Sequence, residues 1–293
     1  MSTQPYGERE GVNFERNSYS KGKASEMKII VCIKQIPNPE TPPSKFNIDP
    51  EAKKAIIPPG QESLVINPFD EQAVEASLQI KDNHGADVTA LSLGGSSAKK
   101  ILRHAMAMGA DAGVLLQILG LEDHDSYSTA LALSKAIKKI AKYDLIVCGR
   151  QAGDWDNGQV ALGLAELLGI PSVTPVQRVQ IVKGRVKVER VLPDGCEVLE
   201  LPMPCLLAVS SEIGLPRLTT LRGIQIANKK DVTVWNGKDL GLESLEGNAS
   251  IARTKILKLF KPVREARCFF IEGEGLEEAG INLALKLREH KII

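Results

Sequence analysis

Residues Leu145 to Val160, read LIVCGRQAGDWDNGQV, decide the fold. The apolar run Leu145-Ile146-Val147-Cys148 leads into the loop Gly149-Arg150-Gln151-Ala152-Gly153-Asp154-Trp155-Asp156-Asn157-Gly158-Gln159-Val160, and a helical pattern from Gln159 to Leu168 leaves it. That order places a loop rich in glycine and side-chain amides at the carboxyl end of a buried strand. Parallel sheets bind ligands at that edge, and the N–H groups of a following helix carry partial positive charge suited to a phosphate. Glycine and asparagine would also serve in an ordinary surface connection. The strand, loop and helix order favours a nucleotide cradle.

Working outward, the same alternation recurs upstream. Lys28 to Ile33 (KIIVCI) is an apolar run of the kind buried on both faces of a parallel sheet. A proline-rich loop with Pro37, Pro39, Pro42 and Pro43 follows. Asn67-Pro68-Phe69-Asp70-Glu71 is a helix start, with Asn as N-cap, Pro at the first helical position and two acids in the positive first turn. This helix should run to about Asp82, with Ala73, Val74, Ala76, Leu78 and Ile80 inward. Asp87 to Leu93 reads as a strand, and Gly94-Gly95-Ser96-Ser97 opens a helix through about Met108. Gly113 to Ile118 is a third strand and Ser126 to Ala141 a third helix. Such alternation implies right-handed crossovers and a parallel sheet flanked by helices. The Gly94 and Gly149 loops then share one sheet edge.

After Ile170-Pro171 the pattern becomes apolar alternation. Ser172 to Val182 and Arg185 to Val191 flank the turn Lys183-Gly184, and Glu197 to Leu201 and Cys205 to Val209 continue the strands. The fold class is therefore α/β: a doubly wound, mostly parallel sheet with helices on both faces, an added β-hairpin region and a C-terminal arm. Three parts are expected: a polar extension over 1–26, a nucleotide-binding α/β domain over 27–234, and an arm over 235–293. The arm ends in an amphipathic helix, Gly275 to His290, that would pack on another subunit.

Composition narrows the function classes. At 293 residues and 43% hydrophobic content the chain can bury a substantial core. Its 37 basic and 36 acidic residues leave a formal charge of +1, so no footprint for nucleic acid or an anionic membrane is present. Five cysteines (Cys32, Cys148, Cys196, Cys205, Cys268) include no CxxC pair and read as reduced, mostly buried thiols. No apolar segment approaches the roughly 20 residues of a membrane-spanning helix, so no membrane insertion is expected and the cytoplasm is the expected location. His84, His104, His124 and His290 lack metal-ligand spacing, and no GxSxG, Walker or GxGxxG motif occurs. Asp154 and Asp156 are expected to bind neighbouring amides in the turn. No catalytic residue and no metal site are assigned.

From Met27 to Ile293 the chain resembles the β subunit of electron transfer flavoproteins. The resemblance is carried by Val31-Cys32-Ile33-Lys34, Asn67-Pro68-Phe69-Asp70, Ala105-Met106-Ala107-Met108-Gly109-Ala110-Asp111, the Gly149 to Val160 loop, and Leu215-Pro216-Arg217. It implies a sheet of the adenine-nucleotide α-hydrolase type and a heterodimer with an α subunit, FAD lying between the two chains. It further implies an AMP site at Cys32, Asn67, Pro68, Phe69, Asp70, Leu93 and Gly149 to Val160. Ser211-Glu212-Ile213-Gly214-Leu215 is similar to the family's recognition loop, in which Ile213 would anchor acyl-CoA-type dehydrogenases. AMP-binding members read DDDCNQT where this chain has Asp154-Trp155-Asp156-Asn157-Gly158-Gln159-Val160, so the phosphate-contacting threonine is replaced. The QV ending is similar to flavin-bifurcating members, which read DGDTAQV, hold a second FAD at this site and oxidise NADH. Trp155 and Asn157 depart from that pattern too.

Two other classes are weighed against this. A stand-alone adenine-nucleotide hydrolase would carry SGGxDS after the first strand, where this chain has Lys34-Gln35-Ile36-Pro37. A regulatory nucleotide sensor would need no flavin partner.

Overall fold

In the computed structural model, residues 27–49, 51, 54–56, 64–118, 125–243, 252–261 and 268–293 are described; the extension over 1–26 lies outside them. Strand β1 (Met27–Cys32) runs into a two-stranded ribbon of β2 (Gln35–Pro37) and, further along the chain, β5 (Leu64–Ile66). Between these two lie β3 (Asn47–Asp49) and β4 (Lys54–Ile56), paired with each other. Then come α1 (Pro68–His84), β6 (Ala86–Leu93), α2 (Lys99–Met108), β7 (Ala112–Leu116), α3 (Ser126–Ile140), β8 (Leu145–Gly149) and α4 (Val160–Leu168). The meander β9 (Ser172–Val182), β10 (Arg185–Leu192) and β11 (Gly195–Leu201) leads to β12 (Cys205–Val209). After α5 (Leu221–Lys229) and β13 (Val232–Trp235), the last helix is α6 (Leu276–Glu289).

One nine-stranded sheet holds the order β11-β10-β9-β12-β8-β1-β6-β7-β13. From β9 across to β13 every pair of neighbours is parallel, and only β10 and β11 run as antiparallel additions. The hairpin region thus extends the same sheet, as its alternating sequence indicates. Alternate side chains of each strand point to opposite faces, which splits the core in two. Ile29 and Val31 join Ala73, Val74, Leu78, Ile101 and Leu102 under α1 and α2. Ile30 and Cys32 join Ile146, Cys148, Leu133, Ile137 and Leu164 under α3 and α4. Helices on both faces follow directly.

The topology also fixes where a ligand can enter. From β1 the chain winds outward through β6 and β7, and then returns to the opposite side of β1 as β8. The switch point lies between β1 and β8, and in open α/β sheets the crevice for ligands opens outside the carboxyl ends of the strands there. The Gly149 loop leaves β8 at that edge.

Helix α5 and strand β13, like the short strands β2 to β5, are absent from the sequence-based expectation. Helix α5 carries Gly223 near its start, which lowers helix propensity. The glycine is required there, because a Cβ would press on the carbonyl oxygen of Ala107 in α2. Strand β13 completes the far sheet edge by pairing in parallel with β7.

Two compact units divide the chain: the described residues of 27–45 and 58–255 form one, and those of 46–57 and 256–293 the other. The second contains β3, β4 and α6, and it leaves Leu257, Phe270 and Leu276 at 82%, 88% and 95% exposure. Unburied apolar groups of that size mark an interaction surface.

Candidate nucleotide-binding site

The β2–β5 ribbon brings the exit of β1 beside the start of α1, where Asn67 N–H donates to the Lys34 carbonyl at 2.9 Å. Asn67 is fully buried, and its side chain does not cap α1 as expected. Its Nδ2 instead donates to the Gln151 carbonyl at 2.8 Å, and its Oδ1 accepts the Gly153 N–H at 3.1 Å. One amide thus pairs with the loop as another strand would. These loop groups outcompete the helix start for the Asn67 side chain, because without it they would be buried and unpaired.

Asp70 ties three elements together at this corner. From the first turn of α1 its Oδ2 accepts the Lys34 N–H at 2.7 Å and its Oδ1 accepts the Gly149 N–H at 3.2 Å. Burial pushes its carboxyl up to about 7, against the opposing pull of the Lys34 N–H, Asn67, the Gly149 N–H and the Lys34 charge. Gly149 has no room for a side chain: a Cβ would lie 2.7 Å from the Phe69 carbonyl carbon and 2.8 Å from the Asp70 nitrogen. Beneath the corner, Cys32 and Cys148 are register partners on β1 and β8. The Cys32 thiol, and then burial, raise the Cys148 thiol well above its ordinary value, so it remains a protonated, unreactive floor.

The loop itself is pre-formed. Both oxygens of Asp154 meet the Lys34 ammonium, at 2.6 and 2.8 Å. Asp156 N–H donates to the Ala152 carbonyl and Asp156 Oδ1 accepts from Gln151 Nε2, each at 2.8 Å. The expectation that both acids bind amides holds for Asp156. For Asp154 it is corrected, since a cation 120 residues away outcompetes the local N–H groups. Arg150 lays its guanidinium over Phe69 at 4.8 Å, while its buried Nε has no hydrogen-bond partner among the described residues. Trp155 stands at the loop's tip, 50% exposed. Asn157, Gly158 and Gln159 lead into α4, and Gly158 takes the positive φ of +61° that favours glycine.

The helix starts around this loop are left open. Neither Asn67 at α1 nor Gln159 at α4 caps its helix with a side chain, and Gly95 before α2 has none to offer. No side chain at the N-cap of α4 takes up its first N–H groups, which is the opening an incoming anion requires. On the other side of β1, Leu93 is half-buried at the end of β6, and the Gly94 loop is bound through Ser97 Oγ, which donates to Gln35 Oε1 at 2.7 Å. Lys34 and Gln35, adjacent in sequence, thus hold the two loops on either side of β1.

The structure brings Cys32, Asn67 to Asp70 and Gly149 to Asp156 together, with Asn157 to Val160 joining them to α4. Ile213 lies on the turn after β12, whose Val209 is the register partner of Gly149. It is half-buried against the core and lines a cavity of about 230 Å³ with Ile80, His84 and Val179, while Leu215, Leu218 and Leu221 beyond it are 90%, 92% and 81% exposed. Sequence reasoning passes over Lys34, whose signal is a charge immediately after a buried strand at the ligand edge. The Ala105 to Asp111 run proves to be a joint: Asp111 Oδ2 accepts the Val88 N–H at 2.8 Å, and the Lys81 ammonium meets both Asp111 oxygens at 2.6 Å. Among the described residues no cluster of three or more potential metal ligands exists, and no helix is long and apolar enough to cross a membrane.

Comparison with known proteins agrees with this geometry. The model of the electron transfer flavoprotein domain matches residues 60–240. The chain is 39% identical over 268 residues to the electron transfer flavoprotein subunit beta of Thermoanaerobacterium thermosaccharolyticum, covering 91% of this chain and 100% of that protein. It is 36% identical to the caffeyl-CoA reductase-Etf complex subunit CarD of Acetobacterium woodii, with the same coverage. It is 34% identical to the acryloyl-CoA reductase electron transfer subunit gamma of Anaerotignum propionicum, again over 91% and 100%. With its switch-point loop, its doubly wound sheet and these relatives along its whole body, the chain belongs to the electron transfer flavoprotein family, among the β subunits.

Proposed function

We propose that this chain, paired with an electron transfer flavoprotein α subunit, carries electrons between acyl-CoA-type dehydrogenases and other redox partners, and that the cradle after β8 binds an adenine nucleotide. The observation that carries the nucleotide reading is the pair of uncapped helix starts at α1 and α4, flanking a loop already held in shape by Asn67, Asp70 and Lys34. The α4 N-terminus, and an Arg150 Nε without a hydrogen-bond partner among the described residues, offer donors and positive potential to a phosphate. Pre-forming the loop removes the ordering cost that binding would otherwise carry.

The residues fit the adenylate part of a nucleotide, whether free AMP or the AMP half of a second FAD. Bound FAD would supply the one- and two-electron carrier; this chain's residues bind, orient and enclose, and no acid, base or nucleophile is demanded of them. The Val160 ending and the CoA reductase complexes named among the relatives favour the second FAD, with NADH as its reductant. The exposed apolar groups of the second unit serve the α subunit, and the segment from Ser211 to Leu221 serves the dehydrogenase, with Ile213 seating its base. A location in the cytoplasm agrees with these partners.

Co-expression with the α subunit, followed by denaturation and counting of released nucleotides, tests this reading. Two FAD per heterodimer and bleaching by NADH establish the bifurcating form. One FAD with one AMP establishes the AMP form. A heterodimer that releases no nucleotide beyond a single FAD overturns the cradle assignment.

A further inference from the structure

Arg217 lies in the segment between the turn Ser211–Ile213 and α5, and it is bound along two turns of α1. Its backbone N–H and its Nε donate to Glu75 Oε2 at 3.0 and 2.7 Å. Its Nη2 donates to Glu75 Oε1 at 3.1 Å and to Asp82 Oδ2 at 2.9 Å. Glu75 is only 6% exposed and takes a further bond from Gln79 Nε2. Burial works against its charge, but the hydrogen bonds from Arg217 and Gln79 outweigh it and hold the carboxyl below its ordinary value. Only a planar fork with several fixed donors can satisfy a buried carboxylate and an exposed one at once.

This arrangement is costly for a mere connection. A buried carboxylate needs its partner permanently, since losing it leaves an uncompensated charge. Yet the residues so firmly tied carry leucines into water, with Leu215 at 90% and Leu218 at 92% exposure. Among the described residues, the hydrogen bonds that tie 215–219 to the body are those of Arg217. A rigid backbone beneath exposed apolar side chains is the arrangement of an anchor that fills a partner's pocket without first having to order itself.

We propose that Glu75 and Asp82 are positioning residues of the docking segment: through Arg217 they hold Leu215 and Leu218 outward for an apolar pocket on the acyl-CoA-type dehydrogenase. The inference rests on the docking role given to this segment above. The occupant is the dehydrogenase because the second unit offers the α subunit an apolar surface of its own, in Leu257, Phe260, Phe270 and Leu276. Helix α1 carries both the clamp and, at its first turn, Asp70 of the cradle, so the docking segment is held in register with the nucleotide site.

The test uses the heterodimer and a short-chain acyl-CoA dehydrogenase reduced with butyryl-CoA as the probe. Arg217→Lys keeps the charge but cannot fork, and Glu75→Gln keeps the shape. Each is expected to raise KM for the dehydrogenase roughly tenfold with the change confined to KM rather than kcat, and to leave nucleotide content and α-subunit pairing intact. Asp82→Asn, at the exposed end of the fork, should raise it about twofold. Leu218→Ser separates the layers. If it raises KM while Arg217→Lys and Glu75→Gln do not, the positioning role is overturned and the docking segment stands. If none of the variants alters KM, the docking segment itself is misassigned. Loss of α-subunit pairing in Leu218→Ser would make this surface part of the heterodimer interface and overturn the proposal.

Discussion

Helices α3 and α4 leave the same sheet edge and pack on the same face, but they begin in opposite ways. Asp125 completes the start of α3: its Oδ1 accepts the Ser128 N–H at 2.9 Å, and its Oδ2 accepts the N–H groups of Arg253 and Thr254 at 2.6 and 2.9 Å. Burial opposes the charge, yet the bonds from Ser128, Thr254 and Arg253 outweigh it and hold the Asp125 carboxyl below its ordinary value. At α4 the side chain of the corresponding residue, Gln159, makes no cap bond. The nearby acids are turned away, Asp154 to Lys34 and Asp156 to Gln151. The chain supplies its own anion at the start of α3 and withholds one at α4, where the proposed nucleotide would bring it.

The comparison can be broken most severely at Gly149. Gly149→Ala forces a methyl group against the backbone of Phe69 and Asp70. Overpacking against backbone that cannot rotate away should cost about 3 kcal/mol or more and abolish nucleotide retention. Thermal unfolding and nucleotide counting of the purified heterodimer check both. A stable, nucleotide-loaded Gly149→Ala protein would show that the close approach of β8 to α1 is not needed.

Next in size is the pH dependence of the two aspartates. Asp70 has its folded value raised to about 7 from the ordinary 3.8, so between those values the folded state binds the extra proton. Its contribution is present below pH 4 and is lost as pH rises to 7, a change on the order of a few kcal/mol. Asp125 is shifted the other way, so its contribution is present above the ordinary 3.8 and is lost as pH falls through its lower folded value. Denaturant unfolding from pH 4 to 7 should therefore show a falling component that Asp70→Asn removes and Asp125→Asn leaves. If the slope survives Asp70→Asn, another group is responsible. Smaller still is Asp125→Ala, which should cost about 1 kcal/mol of stability by removing the cap, with nucleotide affinity changed less than about twofold.

How much of this is legible in sequence depends on the range of the interaction. The buried strands read as short apolar runs, and the loops between them mark the ligand edge, because burial on both faces leaves a local signature in residue type. The glycine at position 149 and the acids opening α1 are legible for the same reason. Asn67 reads as a cap because that is its local chemistry, whereas its real partners lie 84 and 86 residues away. Lys34 with Asp154 and Glu75 with Arg217 span 120 and 142 residues. No periodicity announces such pairs. Helix α5 is hidden because Gly223 answers to the packing against α2 rather than to helix propensity. The resemblance makes Ile213 the anchor of the recognition loop, and only the surrounding core decides that it is half-buried while the leucines after it are not.

The smallest expected change in stability gives the sharpest test. Gln159→Asp would give α4 what Asp125 gives α3, a carboxylate at the N-cap. The residue sits at φ −103° and ψ −23°, closer to helical than to the extended geometry of a good cap, so some rotation is needed and the gain should be about 0.5 kcal/mol. In the nucleotide-free protein this raises the midpoint of thermal unfolding by about 1 to 2 °C. The same carboxylate then occupies the N–H groups that a phosphate would use and repels its charge, so nucleotide affinity should fall roughly tenfold. Stability and binding move in opposite directions only if α4's open start is the phosphate site. Gln159→Asn, which can cap without charge, should keep the small gain and lose less affinity. Were Gln159→Asp to stabilise the protein and bind nucleotide as well as before, the open start of α4 would be a defect in capping, and the phosphate would belong elsewhere in the cradle.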